Sequence, residues 1–167
     1  MALTPAQITV FAAHIQANTD PNIVAWRQAG ETGQIANWYN QPTSPAVIGW
    51  KTKVTLAQVG ETFVATGLAA LTSANNERLR TFAMYNPGGV SPSRVDHRTF
   101  FDEVFSVAAG ASTRAALLAL WKRTITRGEQ VFMTGVGSDG SPATLTFEGV
   151  ITNEDVVAAL FGISQVR

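Results

Sequence analysis

The chain has 167 residues, a formal net charge of zero, 46% hydrophobic and 14% charged residues, and no cysteine. This length suffices for one domain with its own core, and the lack of cysteine excludes disulfides, thiolate metal sites and cysteine nucleophiles. The first residues lack the basic and apolar regions of a secretory signal. No apolar run reaches the ~20 residues of a membrane span, so we expect no membrane association.

The first helix signal is complete. Thr4 and Gln7 have the spacing of a capping box, and Pro5 suits the first helical position. An apolar face at helical spacing follows and predicts the first helix. That face consists of Ile8, Phe11, Ala12 and Ile15.

Two more short helices and a loop are predicted next. Asp20 and Pro21 repeat the combination of cap and proline for a second helix, which Gly30 should end. A third helix is predicted around residues 34–39. Two prolines predict a loop over residues 41–46.

The middle of the chain predicts an extended segment and then helix. Residues 46–54 read as a short strand or an extended crossing segment. Thr55 and Gln58 form another capping box, which predicts a brief helical turn. Residues 66–85 predict one long helix, although the polar Asn75 interrupts its apolar stripe.

Two helices follow the Asn-Pro-Gly-Gly stop at 86–89. Thr99 and Asp102 are predicted to cap the first, which Gly110 should end. The second is predicted over residues 114–124. It is apolar on more than one side, which indicates burial among neighbouring elements.

The C-terminal part predicts a hairpin and a last helix. Residues 130–136 and 144–150 read as strands joined by a turn at 139–140. Thr152 and Asp155 are predicted to cap the final helix. The sequence therefore predicts a mainly α protein, a helical bundle with a small β-hairpin near the C-terminus.

We expect a single domain over residues 1–167. Within it, residues 1–128 form a helical body, and residues 129–167 form the hairpin and the terminal helix. Neither an internal repeat nor a low-complexity tract suggests a different organisation.

Motifs that resemble catalytic devices have simpler interpretations. Residues 135–140 fit G-x-G-x-x-G, but a strand and not a helix follows, which indicates a hairpin turn. Asp102 and Glu103 are expected in the first turn of a helix, where the macrodipole favours carboxylates. His14 and His97 are isolated, and His97 is expected just before that helix. We therefore expect neither an enzyme nor a cofactor or metal site.

Charge is unevenly distributed along the chain. Residues 78–127 contain eight Lys/Arg and three Asp/Glu, a net +5, and residues 128–167 contain one basic and five acidic residues, a net −4. A nucleic acid, an acidic partner or the acidic end of a neighbouring copy would match the basic segment, and so would contacts within one monomer. Arg123 and Arg127 lie four apart at a predicted helix end, which suits the helix dipole.

Two tryptophans flank the proline-containing loop. Trp38 and Trp50 are either core residues or partly exposed aromatics of the kind enriched at interface hot spots. The candidate interface residues are Arg114, Lys122, Arg123, Arg127, Glu154, Asp155, Trp38 and Trp50.

The segment from Thr113 onward resembles a family of small virion proteins encoded among the head and neck genes of tailed bacteriophages. The shared pattern reads K-R-x-x-T-R-x-E-x-x-F, then T-G-x-G, S-P-A-T-L-T-F-E-G and D-V-x-A-A, and the chain matches it between Lys122 and Ala159. Three short segments in the N-terminal half also resemble the family: the helix start T-P-A-Q, and the segments W-Y-N and W-K-T.

The resemblance implies a structural protein without an active site. We expect a head–tail adaptor or connector that forms a ring below the portal, with copies of itself and the portal and tail or nozzle proteins as partners. Nucleic acid contact is expected only in a channel role. The protein would be made in the bacterial host cytoplasm and located in the virion. The alternatives are a decoration, tail-terminator or tail protein, or a small ligand-binding module.

Overall fold

The computed structural model describes residues 2–162, which contain ten α-helices and four short strands. In chain order these are α1 (Pro5–Ala17), α2 (Pro21–Ala29), α3 (Thr32–Tyr39), β1 (Ile48–Trp50), α4 (Leu56–Glu61), α5 (Ala65–Ala69), α6 (Ser73–Tyr85), α7 (Val95–Val104), α8 (Ala111–Trp121), β2 (Lys122–Thr124), α9 (Arg127–Gln130), β3 (Met133–Thr134), β4 (Thr144–Leu145) and α10 (Asn153–Phe161). A short 3₁₀ turn, Ala108–Gly110, precedes α8. The predicted fold class, mainly α with a small C-terminal hairpin, is confirmed.

The chain forms two compact units. Unit 1 combines Met1–Ile48 with Thr124–Arg167, and unit 2 consists of Gly49–Arg123. The chain leaves unit 1 after Ile48 and returns to it at Thr124. β1 and β2 form a two-stranded sheet. This division differs from the predicted one at residue 128, and the single-domain organisation stays a prediction.

Unit 1 is organised around α1, α3 and α10. The capping boxes of α1 and α10 form as predicted, with Thr4 accepting from Gln7 and Thr152 accepting from Asp155. Gly30, with a left-handed φ of 72°, ends α2. α10 packs against α1 and α3, and α2 packs against α3. The core of the unit includes Ile8, Phe11, Ile15, Ile23, Ile35, Tyr39, Phe132, Ile151 and Val156.

The hairpin of unit 1 is shorter than predicted. Only Met133–Thr134 and Thr144–Leu145 pair, antiparallel, with Met133 opposite Leu145. Ile48 occupies part of its edge, because its N–H donates to the Gly137 carbonyl and its carbonyl accepts from the Ala143 N–H. These hydrogen bonds to a third segment replace the longer β-ladder that the alternation of apolar and polar residues predicted.

Unit 2 contains α4 to α8 around an aromatic core. The capping box at Thr55 forms as predicted and starts α4. α5 packs against the 3₁₀ turn and α8, and α6 packs against α7. The core of this unit includes Trp50, Val54, Val59, Val90, Phe101, Val104, Phe105, Leu117 and Trp121.

The prediction of one helix over residues 66–85 is wrong. α5 ends at Ala69, and α6 begins after Thr72, whose side chain accepts from the Asn75 N–H at 3.1 Å. Asn75 interrupts the apolar stripe because its side chain donates to the Val104 carbonyl at 3.0 Å. A local cap and a tertiary hydrogen bond together separate two helices that periodicity had joined.

The predicted bounds of the next two helices are also wrong. α7 begins at Val95 and ends at Val104, so Thr99 and Asp102 lie inside it and not at its start. Gly110 does not end α7. It lies against the Phe105 carbonyl, where a Cβ would overlap that oxygen, and it precedes α8.

α8 ends at Trp121, three residues earlier than predicted. The Trp121 carbonyl accepts from the Lys51 N–H at 2.8 Å, and Lys122 continues with an extended backbone. Arg123 therefore lies in β2, and Arg127 lies at the start of α9. The interpretation of these two arginines as neighbours at one helix end is wrong.

Candidate interaction surfaces

The structure brings two predicted interface residues together in unit 1. Arg127 is the first residue of α9, which Thr126 caps by accepting from the Glu129 N–H at 3.2 Å. Its guanidinium carbon lies 4.1 Å from the centroid of the Trp38 ring, and its Nη1 donates to the Trp38 carbonyl at 3.4 Å. The cation is therefore held over an aromatic face in a cation–π contact.

The acidic pair of α10 is divided between two environments. Glu154 is exposed, whereas Asp155 is fully buried. One carboxylate oxygen of Asp155 accepts from the N–H groups of Ala2 at 2.9 Å and Leu3 at 3.0 Å, and the other accepts from the Thr152 N–H at 2.9 Å. Asp155 is an internal cap that also anchors the N-terminal residues. This corrects its place among the interface candidates, because a buried carboxylate does not meet a neighbouring copy.

The hydrogen bonds at Asp155 outweigh the effect of its burial on protonation. Burial raises the pKa of the carboxyl, but N–H groups of Leu3 and Thr152 donate to the charged form, and the net pKa lies below the ordinary value of 3.8. Asp155 is therefore a carboxylate at neutral pH.

Trp50 is buried in unit 2, which removes it as an exposed hot spot. Its ring lies beneath the Arg98 guanidinium, whose carbon is 4.4 Å from the ring centroid, and Arg98 also donates to the Pro92 carbonyl. The other basic candidates are half-buried. Arg114 on α8 donates to the Val107 carbonyl at 3.4 Å. Lys122 and Arg123 lie in β2 and each has an interaction partner.

The residues considered for acid–base or metal chemistry have structural roles. His97 is buried within α7 and not before it, and its Nδ1 accepts from the Ser91 N–H at 3.0 Å. Glu103 lies in the last turn of α7 and pairs with Arg78 at 2.6 Å, so its predicted place at a helix start is wrong. Within residues 2–162, no group of three His, Asp or Glu side chains is placed to hold a metal ion.

The glycine-rich motif at residues 135–140 is the hairpin turn that its context predicted. It connects β3 to β4, and Gly137 adopts a φ of 74°. The Gly137 N–H donates to the Ser141 carbonyl at 3.0 Å. A side chain at Gly137 would overlap Val47, so the position requires glycine for both conformation and space.

A cavity of about 310 Å³ opens beside the Trp38–Arg127 contact in unit 1. Its lining combines aromatic, hydroxyl and charged side chains. The residues that give it chemical character are His14, Asp20, Trp38, Tyr39, Ser44 and Arg127.

A second candidate surface lies on α6 and α7 in unit 2. We call it the α6–α7 groove: about 590 Å³, floored by Phe82 and Phe100 and edged by Glu77, Arg78 and Tyr85. The two floor rings stack with centroids 4.5 Å apart and an interplanar angle of 18°. The floor is thus flat, apolar and open on one side.

Sequence reasoning did not identify the α6–α7 groove or the cavity beside Trp38. Met84 and Tyr85 are 78% and 82% exposed. The sequence alone could have predicted part of this exposure. Met84 lies about 200° around the helix from the inward-facing Phe82, so it faces away from the side of α6 that packs. The cavity had no local signal, since Trp38 and Arg127 are 89 residues apart.

The described residues form a mainly α-helical protein with a polar cavity in unit 1 and an apolar groove in unit 2. None of the helices in residues 2–162 combines the length and apolar character that crossing a bilayer requires. No protein-family model, curated protein or solved structure matches the chain.

Proposed function

We propose that this chain is a structural protein of a tailed-bacteriophage virion, a head–tail connector that forms a ring below the portal. The observation that carries the proposal is α6, which buries none of its residues, contributes Phe82 to the floor of an apolar groove and leaves Tyr85 at the groove edge 82% exposed. Large contiguous apolar patches on soluble proteins usually mark interaction sites. The resemblance of the segment from Thr113 to Leu160 to virion proteins of tailed bacteriophages supports the assignment to such a particle.

The occupant of the α6–α7 groove is the segment 148–154 of the neighbouring copy. That segment presents two exposed carboxylates, Glu148 and Glu154, on either side of the exposed Val150. The groove offers an apolar floor with one exposed cation, Arg78, at its edge, where Arg78 also pairs with Glu103. A segment with acidic and apolar side chains complements a groove with an apolar floor and a cation at its edge.

This contact joins two different surfaces and is therefore heterologous. Contacts of this kind repeat from copy to copy and close into a ring when the rotation between copies permits. In the sequence, the basic segment 78–127 is matched by all the acidic residues of 128–167. The proposed contact uses fewer of them, because Glu129 and Asp155 are buried and do not contribute to an acidic surface. Three exposed acidic residues remain in the described part of unit 1 after α9: Asp139, Glu148 and Glu154.

A charge exchange tests the connector contact. Arg78→Glu and Glu154→Arg should each weaken assembly at least tenfold, and the double variant should restore it, as measured by mass photometry and sedimentation. Lys53→Glu makes the same change of charge at an exposed lysine outside the groove and should assemble like the natural chain.

The proposal also requires binding to other virion parts. Particles imaged by electron microscopy should show rings, and the purified portal should bind them. A chain that stays monomeric at every concentration and with the portal would contradict the proposal. So would a double variant that assembles no better than either single variant.

A further inference from the structure

The cavity beside Trp38 is built around a fixed cation. Arg127 carries five N–H donors on a planar guanidinium, and among the described residues its Nη1 bonds to the Trp38 carbonyl. Within residues 2–162, no carboxylate pairs with Arg127. The aromatic contact limits the positions that the guanidinium can adopt, which lowers the entropy lost when an anion binds.

Two of the remaining polar groups of the cavity, Tyr39 and His14, lie within hydrogen-bond distance of each other. Tyr39 is fully buried, and its hydroxyl accepts from the Asn18 side chain at 3.1 Å and lies 2.9 Å from His14 Nδ1. Burial lowers the pKa of His14, so its imidazole is neutral at neutral pH and adds no charge. Arg127 is therefore the charged cation of this lining.

Asp20 adds a carboxylate to the same cavity. One of its oxygens accepts from the Asn22 N–H at 2.9 Å and caps α2. A ligand must therefore present an anionic group to Arg127 and a hydrogen-bond donor to Asp20. An acidic residue within a peptide has both, its carboxylate and its backbone N–H, whereas an ionised phosphate offers mainly acceptors and is repelled by Asp20.

We propose that the cavity is a binding site for an acidic residue of a partner protein, with the carboxylate on Arg127 over Trp38 and the peptide N–H toward Asp20. A volume of about 310 Å³ accommodates one such side chain with its flanking peptide groups. The site is separate from the α6–α7 groove and requires neither a ring nor a virion. It gives unit 1 a contact of its own, directed at partners with exposed Asp or Glu.

N-acetyl-glutamate amide is the probe, and N-acetyl-glutamine amide is the uncharged control. Titrated into the ¹⁵N-labelled full chain, the glutamate compound should shift the Trp38 indole N–H saturably, with a dissociation constant on the order of 1–10 mM. The glutamine compound should bind at least tenfold more weakly. Equal binding of the two compounds, or no saturable shift with glutamate, would overturn the inference.

Variants assign the binding to Arg127. Arg127→Gln should abolish it, and Arg127→Lys should weaken it at least fivefold, because lysine keeps the charge but loses the planar fork. Trp38→Leu removes the aromatic face and tests the same contact if Arg127→Gln fails to fold, with the shifts of backbone N–H groups as the readout. Glutamate binding that survives both Arg127→Gln and Trp38→Leu would contradict the assignment.

Two further titrations test the choice of ligand and the independence of the cavity from the α6–α7 groove. Inorganic phosphate should bind more weakly than the glutamate compound, and tighter phosphate binding would overturn the choice of ligand. Arg78→Glu should bind the glutamate compound like the natural chain, whether or not that variant alters assembly. A failure of the connector proposal is therefore distinguishable from a failure of this one.

Discussion

Unit 1 and unit 2 differ in how distant parts of the chain are connected. In unit 1, side chains bind backbone groups far away in sequence: Asp155 accepts from Ala2 and Leu3, and Asn40 exchanges two 2.8 Å hydrogen bonds with the Ile151 backbone. Unit 2 also has such bonds, from Asn75 to the Val104 carbonyl and from the Val64 N–H to Thr113, and ring contacts connect much of its core. One series of these runs from Phe100 through Phe82 and Phe101 to Trp121.

This difference determines which substitutions each unit tolerates. A buried hydrogen bond to backbone has one geometry, and removing the side chain leaves donors without a partner. Ring packing responds instead to lost volume. Unit 1 should therefore be sensitive to changes of polarity, and unit 2 to changes of size.

Trp121 offers the largest test of the comparison. Its side chain is 1% exposed, and its indole N–H has no hydrogen-bond partner in the structure. Trp121→Ala should lower the free energy of unfolding by about 4 kcal/mol, because it opens a cavity in unit 2. Trp121→Phe should cost about 1 kcal/mol, since it retains most of the ring contacts and removes an unpaired donor. Urea denaturation followed by circular dichroism measures both, and equal losses would refute the size-dominated view of unit 2.

Asp155 is the matching test in unit 1. Asp155→Ala should cost about 3 kcal/mol, because the Ala2, Leu3 and Thr152 N–H groups lose a charged acceptor. Glu154→Ala, next to it on α10 but exposed, should stay within about 0.5 kcal/mol of the natural chain. Similar losses from the two variants in urea denaturation would show that the buried cap does not dominate unit 1.

The pH dependence of stability provides a test with a smaller effect, whose direction can be predicted. The pKa of Asp155 in the folded chain lies below 3.8, its ordinary value. Its contribution is therefore fully present above pH 3.8 and is lost as the pH falls through the folded pKa. The stability difference between the natural chain and Asp155→Asn should be constant at neutral pH and shrink in strong acid. A difference that grows on acidification would indicate a raised pKa.

Tyr85 should give the smallest effect on folding. Tyr85→Ser removes a side chain that is mostly exposed, so the free energy of unfolding should change by no more than about 0.5 kcal/mol. Phe82→Ser, one turn earlier on the groove floor, should cost several times more. A large loss from Tyr85→Ser in a dilute, unassembled sample would mean that α6 is supported by more than its packing on α7.

Local signals predicted several of the helix starts, because a capping box lies within four residues. Thr4, Thr55 and Thr152 were identified in this way, and all three cap as expected. Thr72 was missed, since an apolar stripe across residues 66–85 obscured the break. The polar Asn75 within that stripe is explained by its bond to the Val104 carbonyl, a tertiary contact that periodicity does not contain.

The candidate surfaces were predicted only in part. The residues Trp38 and Arg127 were identified separately, one as an aromatic beside a loop and the other as a helix-end cation. Their contact depends on the fold, because it joins α3 to α9 across 89 residues. Asp155 was correctly predicted as a cap but also assigned to the surface, since sequence spacing does not reveal that Ala2 and Leu3 bind the same carboxylate.

The interleaved order of the two units has a consequence for synthesis. The core of unit 1 combines Ile8, Phe11 and Ile35 with Phe132, Ile151 and Val156, whereas unit 2 is encoded between them. At typical elongation rates a ribosome takes about 4–15 s to make residues 49–123. During that time α1 to α3 are complete but lack their apolar partners, while unit 2 emerges whole. Of the two units, unit 2 is therefore complete first during synthesis, and α1 to α3 can bury their apolar faces only after the partners that follow unit 2 have been made.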